Sequence, residues 1–247
     1  MLISLIKTAV VFATLAFASL QDVRTREIDD RVWYIAIIAG AVLTSLETLT
    51  TPGYPLVLLV LSIGLTAVLA LGIYYAGLYG GADAKALIAV AVIMPLSPYA
   101  STMPFYPLTI LGNGLALSLL LIPACLLWNA AFFIRTGRKS LFEGIRATMA
   151  QKFVAFLTGV KVRPATASTV HFNLMEKVSA DGEHVLKFFP EEGPKLIDPN
   201  PRSGSGSRTV WATPAIPMIV FFLAGFLLSF VAGDIIFRAA SLVLGAA

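Results

Sequence analysis

The chain has 247 residues, 57% of them hydrophobic and only 13% charged, with a mean hydropathy of +0.84. A soluble domain of this length needs far more charge to cover its surface, so the composition reads as a polytopic membrane protein. A single cysteine, Cys125, excludes a disulfide framework and a cysteine zinc site, and His171 and His184 are poorly spaced for a metal, so no metal and no cofactor is expected. The net charge of +4 does not point to nucleic acid, because its distribution follows membrane topology.

Leu2 to Leu20 is an apolar run able to cross a bilayer, which takes roughly 20 residues. Ala16-Phe17-Ala18 mimics a signal-peptidase site, but Met1 to Lys7 is apolar rather than a basic n-region, so a retained helix is expected. Gln21 to Arg31 is a dense polar loop with Asp22, Arg24, Arg26, Glu27, Asp29, Asp30 and Arg31. Asp29 or Asp30 suits the N-cap of a second span, about Val32 to Leu46, with Trp33 and Tyr34 as interfacial anchors. Leu56 to Leu78 reads as a third span. Gly80-Gly81 breaks it, and Ala84 to about Leu96 forms a shorter fourth. Leu108 to Ile134 is a long fifth, and about Pro214 to Ala232 a sixth, opened by Thr213-Pro214-Ala215-Ile216-Pro217.

Arg135 to Arg208 is the only extended polar region. Leu141 to Leu157 mixes apolar and basic residues in the manner of a helix on the membrane surface. Thr169 to Leu174 and His184 to Phe189 are strand-like, with the turn signal Asp181-Gly182 between them, and Pro199 to Arg208 is a flexible linker. The expected architecture is an α-helical polytopic membrane protein of six transmembrane helices, with a small cytoplasmic α+β or β domain between helices 5 and 6. Residues 1–134 would hold helices 1–5, residues 135–211 the cytoplasmic domain and linker, and residues 212–247 helix 6 and a tail. In that tail Asp234 and Arg238 are spaced to pair on one helix face. Whether helix 6 runs on or a surface helix follows is left open.

All lysines and arginines except Lys7 and Arg238 fall in the first loop, at the start of the fourth span, or in the long polar region. Six spans put those segments on one side, which the positive-inside bias makes cytoplasmic. Asp22 and Asp83 then lie at the same membrane face. Lone carboxylates at the mouths of membrane segments are costly to keep charged, which makes them candidates for function. As a pair they suit peptide hydrolysis: two close carboxyls tend to share one proton, one activating water while the other supports the carbonyl oxygen. Gly80 and Gly81 would permit close backbone approach. Structural roles compete with this reading, Asp83 as a helix N-cap and Asp22 as a solvated charge beside Arg24 and Arg26.

Gly80-Gly81-Ala82-Asp83 resembles the GxGD-type motif of intramembrane aspartyl proteases, and with Ala84-Lys85 it is similar to the archaeal preflagellin and prepilin peptidases. Asp22-Val23-Arg24-Thr25-Arg26-Glu27-Ile28, followed by Val32-Trp33, is similar to the first-aspartate region of that family. Ala82 stands where the motif has its second glycine, which the archaeal branch accepts, and the absence of a cysteine tetrad separates the chain from bacterial enzymes that also methylate. The resemblance implies catalytic Asp22 and Asp83, supported by Gly80, Gly81 and Ala82. It implies membrane-inserted precursors with class III-type signal peptides as substrates, cut at the cytoplasmic face of the cell membrane. Glu27, Asp29 and Asp30 are candidate contacts for a basic leader. Lys85 reads as a snorkelling interface lysine. The rivals are a presenilin- or signal-peptide-peptidase-like protease, an ion- or proton-coupled transporter using the same acids, and a secretion-system scaffold indifferent to their loss.

Overall fold

In the computed structural model, residues 2–98, 103–136, 141–167, 169, 171–179, 183–188, 209–243 and 245 are described. Asp181-Gly182 and the expected linker Pro199 to Arg208 lie outside them. The chain is mostly helical and divides into two units, residues 1–118 with 217–247, and Leu119–Ile216.

The first unit holds α1 (Leu2–Thr25), α2 (Asp30–Thr50), α3 (Leu56–Tyr75), α4 (Gly81–Ile93), α5 (Tyr106–Ser118), α9 (Met218–Ala232) and α10 (Ile235–Val243). The burial pattern is that of helices in lipid. On α3 the buried positions are Ser62, Thr66 and Ala70, four residues apart, while Val57, Val60, Leu61 and Val68 are exposed. Small and weakly polar residues face the neighbouring helices, and large apolar ones face outward, as expected where no hydrophobic force draws helices together. α4 inverts this: Ala84, Ala86, Leu87, Ala89, Val90, Ala91 and Ile93 are all buried, so it is the central helix.

Backbone approach holds α4 in place. A Cβ on Gly40 of α2 would come within 2.9 Å of the Ile93 Cα, and one turn on, the Thr44 hydroxyl donates to the Val92 carbonyl at 2.8 Å. The Ser62 hydroxyl of α3 donates to the Pro95 carbonyl. α5 and α9 cross as closely, since a Cβ on Gly225 would sit 2.7 Å from the Gly114 nitrogen. Across this unit Lys7 of α1, itself buried, pairs with Glu47 of α2.

Four runs among the described residues are long and apolar enough to cross a membrane: Leu2–Thr25, Asp30–Thr50, Leu56–Tyr75 and Tyr106–Arg135. A fifth exists if α9 and α10, bent by 58° at Gly233-Asp234, form one span. The chain is therefore a multi-pass membrane protein. The expected fourth span is the point of difference in the count of six. α4 has only 13 residues, about 20 Å of helix, against a hydrocarbon core of about 30 Å. The bend after α9 answers the question of the tail. Asn113 of α5 bridges it, donating to the Gly233 carbonyl at 2.8 Å and accepting from the Ile235 N–H at 3.0 Å. Arg238 turns its guanidinium to the Ala232 carbonyl, while the buried Asp234 accepts from the Met103 N–H, so the expected helix-face pairing of the two gives way to main-chain capping.

The second unit holds α6 (Leu121–Thr136), β1 (Ile145–Arg146), α7 (Met149–Thr158), β2 (Val160–Val162), α8 (Pro164–Ala167), β3 (Phe172–Leu174), β4 (Glu176–Val178), β5 (His184–Leu186) and β6 (Val210–Pro214). The strands form two three-stranded sheets, β1-β5-β4 and β2-β6-β3. β5 pairs antiparallel with β4, Glu176 opposite Leu186, while β3, in the run expected to be its hairpin partner, pairs with β6, Phe172 opposite Pro214. The helix expected over Leu141 to Leu157 begins only at Met149, after a turn and β1, because Thr148 and Gln151 form a capping box there. Thr213 and Pro214 belong to β6, and α9 begins at Met218 rather than at the expected Pro214. Trp211 fills this unit's core, stacked on Phe142 at 4.8 Å, its indole donating to the Leu141 carbonyl.

Candidate active site

Asp22 lies in the last turn of α1, where the helix leaves its apolar run and the chain must reverse into α2. Arg26 makes the reversal with φ +59°, the only positive φ among described non-glycine residues. Its N–H donates to the Asp22 carbonyl at 3.1 Å, and its guanidinium Nη1 lies 3.5 Å from Asp22 Oδ1. Both side chains are largely enclosed, 19% and 14% exposed. Asp29 is the N-cap of α2, its carboxylate accepting from the Arg31 N–H at 2.9 Å. Ile28 and Trp33, at the positions of a hydrophobic staple, share one core cluster. Trp33 is thus buried at 1% exposure rather than free to anchor at an interface, while Tyr34 beside it is exposed.

Asp83 lies in the first turn of α4, outside the helices long enough to cross. It is the third helical residue rather than the N-cap, which is Gly80; its Oδ2 accepts the Gly80 N–H at 3.0 Å. Burial pushes its carboxyl from 3.8 up to about 6, the Gly80 N–H opposes that rise, the charge of Asp22 adds to it and Arg26 draws it back down. Asp22 and Asp83, 61 positions apart in sequence, therefore stand in one electrostatic neighbourhood with Arg26. Tyr79 borders it, its ring edge-on to Phe222 of α9 at 6.2 Å. Burial first, and then Asp83, push the Tyr79 phenol up to about 12, so it stays protonated.

The remaining expected residues fall around this cluster. Gly80 has φ −72° and ψ 160°, open to any residue. A Cβ on Gly80 or Gly81 would meet only ordinary contacts, Asp83 Oδ2 at 3.4 Å and the Tyr74 ring at 3.6 Å. No close helix approach requires these glycines, unlike the expectation. Ala82 packs against the core cluster. Lys85 reaches Asp30 at 2.6 Å, joining the first turns of α4 and α2 through a pair that is about half exposed. Glu27 and Asp29 on the connecting loop and Asp30 at the first position of α2 are all exposed. Arg26 and Tyr79 are the residues that the sequence reading passed over. The first carried a usable signal, the i, i+4 spacing from Asp22.

Residues 9–126 match the type IV leader peptidase family, and residues 151–235 match the type II C-terminal region of archaeal Peptidase A24 proteins. The chain is 25% identical over 228 residues to the preflagellin peptidase of Methanococcus maripaludis, covering 89% of this chain and 92% of that one. It is 25% identical over 242 residues to the preflagellin peptidase of Methanococcus voltae, covering 93% and 96%. Over 228 residues it is 25% identical to that of Methanocaldococcus jannaschii, covering 89% and 91%.

Proposed function

The chain belongs to the type IV leader peptidase family, an aspartic-type protease, and from that premise we propose that Asp22 and Asp83 are its catalytic pair. The substrates are precursors of the preflagellin or pilin kind, with a short basic leader ahead of a hydrophobic helix. The proposed cut falls at the cytoplasmic face of the cell membrane, where the positive-inside bias puts the loop carrying Asp22 and the start of α4. Residues 135–211 form the cytoplasmic domain and linker in this reading, between the membrane segments 1–134 and 212–247.

The reading is supported by the placement of Asp22 in the last turn of α1 and Asp83 in the first turn of α4, near enough that the Asp22 charge adds to the rise that burial gives the Asp83 carboxyl. Two carboxyls that resist joint ionisation share a proton, and their titrations belong to the pair. The ionised member takes a proton from water as its oxygen attacks the scissile carbonyl carbon. The protonated member gives its proton to the carbonyl oxygen. The tetrahedral species then collapses, the C–N bond breaks, and a carboxyl returns a proton to the leaving amine. Gly80 and Gly81, bare of side chains and free of close neighbours, leave main chain open for a substrate strand to lie against.

The test is cleavage of a preflagellin precursor in membranes by Asp22→Asn and Asp83→Asn at matched expression. Each change alone should abolish cleavage while the protein still inserts and accumulates. Near-normal activity in either removes the two-carboxylate mechanism.

A further inference from the structure

An arginine with a left-handed backbone is unusual, and strain of that kind gathers at functional sites. Arg26 adopts it at the turn that ends α1, and the result is specific: the chain doubles back so that the guanidinium lies along the last turn of its own helix. A surface arginine would extend into water, whereas this side chain is 19% exposed and lies 3.5 Å from an Asp22 carboxyl that is 14% exposed. Beside this cluster stand Asp83 at the start of α4, whose carboxyl feels the charges of both Asp22 and Arg26, and Tyr79 in the loop before it, which borders Asp83. From α2, Asp30 is engaged by Lys85. Among the described residues, the cation makes its ion pair with Asp22 rather than with Asp83.

We infer that Arg26 is a positioning residue that breaks the symmetry of the pair, holding Asp22 as the charged member that activates water and leaving the shared proton on Asp83. The inference rests on the proposed dyad and adds a division of labour to it. A guanidinium beside one carboxyl favours its ionised form, and an enclosed pair is weakly screened by salt. Asp83 has different surroundings: it is partly buried, lies beside the negative charge of Asp22, and accepts its hydrogen bond from the neutral Gly80 N–H rather than from a cation. Proton and charge are therefore assigned before substrate arrives, and the attacking water is activated from the α1 side.

The experiment is the pH profile of kcat/KM for a preflagellin precursor, using purified full-length Arg26→Gln, Arg26→Lys and Arg26→Gly beside wild type. Loss of the cation should move the acidic limb upward by about one pH unit or more. At a fixed pH on that limb, Arg26→Gln and Arg26→Gly should then lose about tenfold, while Arg26→Lys restores most of the limb's position. Glycine serves as the control for fold, because it relieves the left-handed backbone. A purely structural role for Arg26 predicts that Arg26→Gly melts no lower than wild type and keeps its profile. An unshifted acidic limb in both Arg26→Gln and Arg26→Gly overturns the assignment, as does a loss in Arg26→Lys as deep as in Arg26→Gln. Asp22→Asn and Asp83→Asn run alongside separate the two levels. If they are inactive at every pH and the Arg26 variants keep the wild-type limb, only the role of Arg26 fails. If they retain activity, the dyad itself fails.

Discussion

The Gly80 N–H donates to Asp83 Oδ2 at 3.0 Å, so the proposed catalytic carboxyl also closes the first turn of α4. The two roles separate by substitution. Asparagine keeps an oxygen for the Gly80 N–H and loses only the titration, whereas alanine loses both, and a lost cap costs about 1 kcal/mol. Asp83→Asn should therefore be inactive yet fold as firmly as wild type at pH 4 or below, while Asp83→Ala should be inactive and less stable. Parallel cleavage assays and thermal unfolding in detergent would check this. Equal unfolding midpoints for the two variants would mean that the cap contributes nothing.

The raised Asp83 carboxyl also links stability to pH. Its ordinary value is 3.8 and its folded value about 6. Between these limits the folded chain holds a proton that the unfolded chain has released, so stability falls as pH rises through the window. A shift of that size corresponds to roughly 3 kcal/mol. Asp83→Asn removes this cost, and should melt higher than wild type at pH 7, with the difference closing toward pH 4. Cleavage should fall as pH rises past about 6, since the acid that supports the carbonyl oxygen is lost there. A wild type and Asp83→Asn with the same Tm at every pH would exclude a raised carboxyl.

Gly80→Ala probes the proposed substrate path. Its backbone conformation suits alanine, and the added methyl would touch only the Asp83 carboxyl at 3.4 Å. The fold should be unchanged within about 0.5 kcal/mol. If substrate main chain runs against this glycine, kcat/KM falls by tenfold or more at unchanged Tm. Full activity in the variant would leave Gly80 with no part in binding.

Much of this was legible in the sequence because hydrocarbon imposes simple rules. A run of apolar residues must be helical, and an acid beside it is conspicuous, so helix fills most of each expected apolar run, although α4 is too short to cross and α9 starts at Met218, and both acids stand at helix ends. What the runs could not reveal is burial within the bundle. Trp33 reads as an interfacial anchor and α4 as an ordinary span, because hydropathy does not distinguish a lipid-facing leucine on α3 from a buried one on α4. The strand β6 was hidden by its terminal Pro214, because proline marks helix starts as readily as strand ends. Arg26 stood at a readable i, i+4 spacing from Asp22, but the left-handed backbone that folds it back onto the helix leaves no mark in the sequence.

The central position of α4 makes a further prediction at a distance from the acids. A methyl on Gly40 would press on the Ile93 backbone, with 2.9 Å to both its N and Cα. Helix backbone cannot give as a flexible side chain can, so Gly40→Ala should cost about 1–3 kcal/mol. Relief requires α4 to move relative to α2, and Asp83 moves with it. Activity should therefore fall at temperatures where the variant is still folded. Gly64→Ala on α3, where no atom lies within 4 Å, is the matched control and should change neither Tm nor cleavage.

The loop acids give the last prediction, because the structure treats them differently. Asp30 is neutralised by Lys85 at 2.6 Å, and Asp29 spends its carboxylate on the α2 N-cap. Glu27 is exposed, and among the described residues its carboxylate has no recorded ion pair. If a basic leader is steered to this loop, Glu27 supplies most of the available charge, and Asp30 supplies little until Lys85 lets go. Glu27→Gln should raise KM for the precursor about two- to fivefold at low salt with kcat held, and the effect should shrink at high salt as charges are screened. Asp30→Asn should change KM less, whereas in a Lys85→Met background, where the Asp30 charge is released, Asp30→Asn should raise KM relative to Lys85→Met alone. Asp29→Ala should act through Tm instead, by about 1 kcal/mol for the lost cap. An unchanged KM in Glu27→Gln at low salt would mean that the leader is recognised elsewhere and that these acids are only the solvated surface of the α1–α2 turn.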